Sequence, residues 1–370
     1  MIYFALYTIF IGNNFIPYIM SKQINVAING FGRIGRAFLK VSLEHPEINV
    51  VAVNDLGDIK NMAYLLKYDT AQGMSTFDVV AKADGSGFVI SNIGSDKRTQ
   101  EVKYVSEKDP TKLPWGANNV DVVIESTGLF TSAEKAMAHV TAGAKRVVVS
   151  APTKDEPTSP FQSATVLMAM NEGDLKNCIV SSNASCTTNA GSPLLAILDE
   201  ALGIEKALLN TVHGYTASQA LVDGPSKKDY REGRAAAMNL VPSSTGAAIA
   251  VTKIVKHLKG LFDGISIRVP VVTGSLVDIT FISKKDTTAE EVNAILKKAA
   301  ADARWQGIFT VTEEQLVSRD IIGNPHASIA DLAFTRVVGG NLVKVLGWYD
   351  NEMGYTHTLV RHVMEVGKLI

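Results

Sequence analysis

Cys186 stands in Ser182-Asn183-Ala184-Ser185-Cys186-Thr187-Thr188-Asn189, and Val212-His213-Gly214-Tyr215-Thr216 follows with a histidine that could serve it as a base. A thiol attacks carbon as its thiolate, and an unperturbed pKa of roughly 8.5 leaves few thiolates at neutral pH. The apolar run Pro193-Leu194-Leu195-Ala196-Ile197-Leu198 follows, with Ser185 as N-cap, so the sulfur is expected in a helix's first turn. There the helix dipole favours an anion, and an imidazolium at His213 would favour it further. A lone cysteine is ordinarily a small buried hydrophobe. Hydroxyl-rich neighbours argue against that for Cys186, whereas Cys178, in Asn177-Cys178-Ile179-Val180, has the surroundings of a buried strand.

The elements that must carry these residues begin with Ile24-Asn25-Val26-Ala27-Ile28-Asn29, which reads as a buried parallel strand. It runs into Gly30-Phe31-Gly32-Arg33-Ile34-Gly35 and then a helix-forming stretch. In that pattern Gly30 makes the tight turn, Gly32 admits a pyrophosphate to the backbone, and Gly35 allows helix and strand to pack closely. A second strand, Ile48 to Val53, leads to Asp55, about twenty residues past Gly35, where a carboxylate can bind the adenosine ribose and repel a 2′-phosphate. NAD is therefore expected over NADP. The plainer alternative for Asn54-Asp55 is a turn.

Strands are expected at Phe77 to Ala81, Phe88 to Ser91 and Val102 to Val105, the first two joined through Ala83-Asp84-Gly85-Ser86, then at Val120 to Glu125 and Arg146 to Val149. Ser126-Thr127-Gly128 ends the Val120 strand on the side where cofactors lie in doubly wound sheets. A helix is expected around Ala133 to Val140, and Ser150-Ala151-Pro152 marks a domain switch. Beyond it come an amphipathic run from Ala247 to Leu258, strands at Ile265 to Val272 and Leu276 to Ile282, and a last helix over Glu352 to Leu369. Leu221 to Leu240 has no apolar period and reads as a long ordered loop. The fold class is α/β, a Rossmann dinucleotide-binding domain followed by an α+β catalytic domain with a mostly antiparallel sheet. The boundaries expected are 1–20 for an apolar extension, 21–185 with 352–370 for the first domain, and 186–351 for the second.

With 370 residues, 46% of them hydrophobic, the chain can fill two cores. A net charge of -1 offers no basic field for nucleic acid or an anionic membrane. Two cysteines without CxxC or clustered Cys/His ligand spacing argue against a disulfide framework or a zinc site, and suit a reducing cytoplasm; no metal is expected. Met1 to Met20 holds no charged residue, but lacks the basic start and cleavage site of a signal peptide and is interrupted by Asn13, Asn14 and Pro17 as a span. Translation starting at Met20 is the expectation, with a loosely packed extension as the alternative.

Taken with Ser244-Thr245-Gly246-Ala247-Ala248, Arg268-Val269-Pro270 and Trp348-Tyr349-Asp350-Asn351-Glu352, these blocks resemble the phosphorylating glyceraldehyde-3-phosphate dehydrogenases from about Lys22 to the C-terminus. The resemblance implies attack of Cys186 on glyceraldehyde 3-phosphate, with His213 as base, hydride transfer to NAD, and release of the thioester as 1,3-bisphosphoglycerate by inorganic phosphate. It further implies that Thr216 and Arg268 hold the substrate's phosphate, and that Ser185, Thr187, Thr245, Gly246 and Arg231 hold the incoming one. Arg234 competes with Arg231 for that role. For NAD it implies Gly30, Phe31, Gly32, Arg33, Ile34, Gly35, Asp55, Ser126, Thr127, Gly128, Asn351 and Tyr355, and it implies a homotetramer. Ala190 replaces a second cysteine common in the family, and Lys154 to Ser163 looks long. An erythrose-4-phosphate dehydrogenase, with water in place of phosphate, and a non-catalytic dinucleotide-binding protein are the alternatives.

Overall fold

The computed structural model of the protein describes residues 7–11, 14–18, 23–153, 163–226 and 229–370. The leader expected over Met1 to Met20 is described only as two paired antiparallel strands, β1 (Tyr7–Ile11) and β2 (Asn14–Tyr18). The long connection expected from Lys154 lies outside the described residues up to Ser163.

Two sheets carry the rest. The first has nine strands: β3 (Ile24–Asn29), β4 (Ile48–Asn54), β5 (Asp78–Ala81), β6 (Gly87–Ile93), β7 (Arg98–Val105), β8 (Val122–Glu125), β9 (Arg146–Val149), β10 (Ser163–Thr165) and β11 (Val180–Ser182). Their order is β10-β11-β9-β8-β3-β4-β7-β6-β5. All neighbours are parallel except the antiparallel meander β5-β6-β7 at one edge. The Val- and Ile-rich runs of β3, β8 and β9 are buried on both faces, as a parallel sheet covered by helices requires. Helices α1 (Arg33–Ser42), α2 (Ile59–Lys67) and α3 (Ala133–Thr141) supply that cover, the last two capped by Asp58 and Ser132. The strand order reverses at β3, between β4 and β8, and a crevice for a ligand opens there.

The second sheet has seven strands in the order β13-β14-β12-β15-β18-β17-β16, with parallel pairing only at β12-β14 and β16-β17. They are β12 (Ile204–Gly214), β13 (Val241–Ser244), β14 (Phe262–Val269), β15 (Ser275–Ser283), β16 (Phe309–Thr312), β17 (Ser328–Val338) and β18 (Leu342–Tyr349). β15 alternates buried and half-buried residues along its whole length, so one face meets the helices and the other looks outward. The covering helices are α4 (Cys186–Leu202), α5 (Ala247–Thr252) and α6 (Ala289–Ala300), the last closed by a Thr288/Glu291 capping box. The chain then returns through α7 (Met353–Gly367) to pack on α1 of the first sheet.

Two expected elements differ. The helix expected from Ala247 to Leu258 stops at Thr252, whose hydroxyl donates to the Ile249 carbonyl, and a separate turn follows at Lys256–Leu258. The β-branched run Val251-Thr252 with Ile254-Val255 resists the crowding of a continued helix. The strand expected from Ile265 to Val272 begins earlier, at Phe262, and ends at Val269, because Pro270 cannot donate to the ladder. Within the described part of Leu221 to Leu240 there are only two short 3-10 turns, Tyr230–Gly233 and Ala236–Met238.

Candidate active site

Cys186 is the first residue of α4, and the Ser185 hydroxyl accepts from the Thr188 N–H at 3.1 Å, the capping expected from the sequence. His213 reaches the same point from β12, where alternation turns Ala207, Leu209, Thr211 and His213 inward toward α4. Cys186 Sγ lies 3.4 Å from His213 Nε2. The opposite ring edge faces two groups, the Gly214 carbonyl at 2.6 Å and Arg268 Nη1 at 2.5 Å from Nδ1. Arg268 is there because β14 pairs in parallel with β12 and sets Arg268 directly against His213. When Nδ1 donates to Gly214, Nε2 is left to accept the thiol proton. When Nδ1 accepts from Arg268, Nε2 holds the proton and faces sulfur as donor.

The electrostatics differ from the simple expectation of a thiolate stabilised by imidazolium. Burial pushes the Cys186 thiol above its ordinary value, against an opposing pull from Arg268. Burial, joined by the Arg268 charge, pushes His213 down to about 3. Each group alone thus favours its neutral form, and ionisation is a proton shift along the Sγ to Nε2 contact rather than loss of a proton to water. Cys178 is buried with its thiol pushed up to about 11, the inert behaviour expected of it.

Tyr349, given no role on sequence, lies beneath this pair. Its hydroxyl joins Thr187 Oγ1 at 2.9 Å and Thr211 Oγ1 at 2.7 Å, and its ring meets the His213 ring edge-on. The period-2 run Val343, Val345, Gly347, Tyr349 was the available signal, since it aims Tyr349 inward. The Thr187 hydroxyl is therefore committed to Tyr349 in this structure. Thr216 Oγ1 lies 3.1 Å from Ser218 Oγ, and Thr245 Oγ1 accepts from the Ala247 N–H beside Gly246, the N-cap of α5. Arg231 is exposed and bidentate on Asp229, and Arg234 bonds Asp223, so the structure brings neither guanidinium to Cys186.

On the first sheet the glycine loop has the shape a dinucleotide needs. Gly30 has φ +95, and a Cβ there would meet the Thr127 N at 2.7 Å; one at Gly35 would meet the Gly30 carbonyl at 2.2 Å. A Cβ at Gly32 would meet nothing within 4 Å, and Gly32 caps α1 without a side chain, so open space lies before the helix's N–H groups. Beside it runs a groove of about 320 Å³ bordered by Gly30, Gly32, Asp55, Ser126 and Thr127. Asp55 accepts from the Phe31 N–H at 2.7 Å and from the Gly57 N–H at 2.9 Å. Ser126 donates to the Gly30 carbonyl, Thr127 donates to Glu125, and Gly128 has φ +73. Ile34 is half-buried against the core, whereas the Arg33 side chain turns away to Asp69 and Glu352.

Asn351 ends β18's extension with its Oδ1 accepting from Thr273 Oγ1, the Gly274 N–H and Ser275 Oγ at 2.9 to 3.2 Å. That fixes the amide with its NH₂ as the free end among the described residues. The Tyr355 hydroxyl donates to the Ala184 carbonyl and lies 3.1 Å from Ser150 Oγ, so it holds protein groups.

Comparison with known proteins decides the family. Residues 24–133 match the model of the glyceraldehyde 3-phosphate dehydrogenase NAD binding domain, and residues 185–351 match that of the C-terminal domain. The chain belongs to the glyceraldehyde-3-phosphate dehydrogenase family. It is 45% identical over 349 residues to the glyceraldehyde-3-phosphate dehydrogenase of Clostridium pasteurianum, covering 93% of this chain and 98% of that one. Glyceraldehyde-3-phosphate dehydrogenase 2 of Streptomyces avermitilis is 46% identical over 347 residues, with 93% and 98% covered. The Bacillus subtilis glyceraldehyde-3-phosphate dehydrogenase 1 is 45% identical over 339 residues, with 91% and 96% covered. The family's cofactor is NAD, and the open space before Gly32, the paired acceptors of Asp55 and the oriented amide of Asn351 fit it.

Proposed function

We propose that this member of the glyceraldehyde-3-phosphate dehydrogenase family carries out the phosphorylating oxidation of glyceraldehyde 3-phosphate to 1,3-bisphosphoglycerate. The single observation that carries the reading is Cys186 at the first position of α4 with its sulfur 3.4 Å from His213 Nε2. Sulfur adds to the aldehyde carbon as its proton passes to Nε2, and first-turn N–H groups of α4 face the developing oxyanion. Nε2 returns that proton to the oxyanion to give the thiohemiacetal, and the neutral imidazole, its Nδ1–H held by Gly214, then takes the hydroxyl proton as the carbon gives up its hydride. NAD, when bound, supplies the hydride acceptor. The thioester on Cys186 is attacked by inorganic phosphate, which restores the thiol.

In this reading Arg268 and Thr216 hold the substrate's phosphate, and Ser185, Thr187, Thr245 and Gly246 hold the incoming one, Thr187 by turning its hydroxyl from Tyr349. Arg231 can join them only by leaving Asp229. Residues 21–185 with 352–370 form the NAD-binding domain and 186–351 the catalytic domain. The exposed Leu221, Val222, Tyr230, Met238 and Leu240 suit burial against another copy, which supports a homotetramer. Two free cysteines suit a cytoplasmic location. No described helix is long and apolar enough to cross a membrane.

The test is NADH formation from glyceraldehyde 3-phosphate with and without inorganic phosphate. Multiple turnovers that need phosphate support the reading; equal turnover without it, yielding free acid, points to the erythrose-4-phosphate dehydrogenase chemistry instead.

A further inference from the structure

Ala184, two residues before the nucleophile, is fully buried and has φ +54, a left-handed backbone that a residue with a Cβ rarely adopts. The turn it makes lets β11 end and α4 begin with Cys186 pointing at β12. Such a conformation persists only where its surroundings over-determine it. The Ala184 N–H donates to Ser182 Oγ, and its carbonyl accepts from Tyr355. The preceding Asn183 is fully buried too; its backbone carbonyl accepts from Asn189 of α4 and its side-chain amide is held from α7.

Three α7 residues on one helical face do the holding: Tyr355, Thr358 and His362. Asn183 Nδ2 donates to Thr358 Oγ1 at 3.1 Å, and that hydroxyl donates onward to the Tyr355 carbonyl. His362 Nδ1 lies 3.1 Å from Asn183 Oδ1, and Nε2 lies 2.8 Å from Ser181 Oγ. A carbonyl oxygen only accepts, so Nδ1 carries the hydrogen and Nε2 accepts from Ser181. The imidazole is fully buried and both its ring nitrogens are partnered.

We infer that His362 is a positioning residue for Cys186: by fixing Asn183 it holds the Ala184 turn, and that turn aims the sulfur at His213. The inference rests on Cys186 as the nucleophile, but its test does not require turnover. An asparagine amide places its N–H₂ where Nδ1 stands, keeping the Asn183 contact and losing Ser181; a glutamine reaches the Nε2 position instead. The measurement is the rate of Cys186 alkylation by iodoacetamide, followed on the Cys186 peptide in the full-length protein, alongside NAD affinity. His362→Gln is expected to slow alkylation at least tenfold, His362→Asn to stay within about threefold, and NAD affinity to hold within twofold in both. Equal losses in the two variants, or wild-type rates in both, overturn the assignment. Should His362→Gln not fold, Thr358→Val removes the other anchor of Asn183 isosterically; unchanged alkylation there overturns it as well. Failure of the dehydrogenase reading would show separately, as turnover surviving in Cys186→Ala.

Discussion

Replacing Asp55 with asparagine separates two roles that the structure superimposes on one carboxylate. Its Oδ2 accepts the Phe31 N–H and its Oδ1 the Gly57 N–H, so the side chain braces the glycine loop before any cofactor arrives. Each oxygen keeps a second lone pair for a ribose hydroxyl. Losing the charge weakens each such bond by about 1 kcal/mol, the difference between charge-assisted and neutral hydrogen bonds. The loop contribution falls equally on NAD and NADP and cancels in their ratio. What remains is the ribose bond, about 1 kcal/mol against NAD, and relief of repulsion between Asp55 and a 2′-phosphate. Two unit charges about 4 Å apart repel by about 1 kcal/mol in water and about 4 at a protein surface. The ratio of kcat/KM for NAD over NADP should therefore fall by roughly 30-fold or more, about 2 kcal/mol at the low end. Steady-state rates with each cofactor at saturating glyceraldehyde 3-phosphate and phosphate give that ratio. If both cofactors weaken together and the ratio stays within twofold of wild type, Asp55 is a brace for the loop and does not select the cofactor.

Further expectations concern the pair at the centre of the site and the buried imidazoles. Cys186→Ala should abolish NADH formation with NAD affinity intact, and His213→Asn should lower kcat by about 10² to 10⁴, the range of a positioned base; wild-type turnover in either variant would refute the mechanism. His213 and His362 are both pushed by burial to about 3, against about 6.5 in the unfolded chain. Below pH 6.5 the unfolded state binds protons that the folded state refuses, so the stability these groups contribute is whole above 6.5 and is lost as pH falls toward 3. At pH 5 the loss is about 2 kcal/mol for each buried imidazole. Urea midpoints at pH 7 and pH 5 test this, and equal stability at the two would sink it.

The parts of the molecule that were legible in its sequence are those whose signal is local. The loop from Gly30 to Gly35 and the Ser185 cap each depend on a few neighbouring residues, and each is where turn chemistry puts it. The shortened α5 was not legible, because alanines at its start favour helix while the β-branched residues after them do not. Neither was the fate of the two arginines: Arg231 and Arg234 each have a carboxylate of their own, Asp229 and Asp223, and nothing in the spacing distinguishes a local ion pair from a phosphate contact. The supports of the site were hidden for a different reason. Thr187 meets Tyr349 across 162 positions, Asn183 meets His362 across 179, and Arg33 meets Glu352 across 319. No local pattern records such pairs.

That distance in sequence has a structural consequence. Asn351, whose amide is oriented by three donors, and Glu352, which ties Arg33 beside the glycine loop, both follow Asp350, whose carboxylate is fully buried. Asp350 Oδ1 accepts from the Glu352 N–H and the Met353 N–H and shares the Thr273 hydroxyl hydrogen with Asn351 Oδ1, and Oδ2 accepts from Gln72 and the Gly323 N–H. These donors come from the first domain, from two separate loops of the second, and from the start of α7. One carboxylate therefore closes the turn on which the two halves converge, and removing it would leave several buried N–H groups unsatisfied at once. The same helix that begins there carries Tyr355, Thr358 and His362 to the turn before Cys186. The glycine loop, the oriented amide of Asn351 and the turn before Cys186 are thus all referenced to α7, so the return of the C-terminal segment to the first domain is a condition of site geometry, not an ornament of the fold.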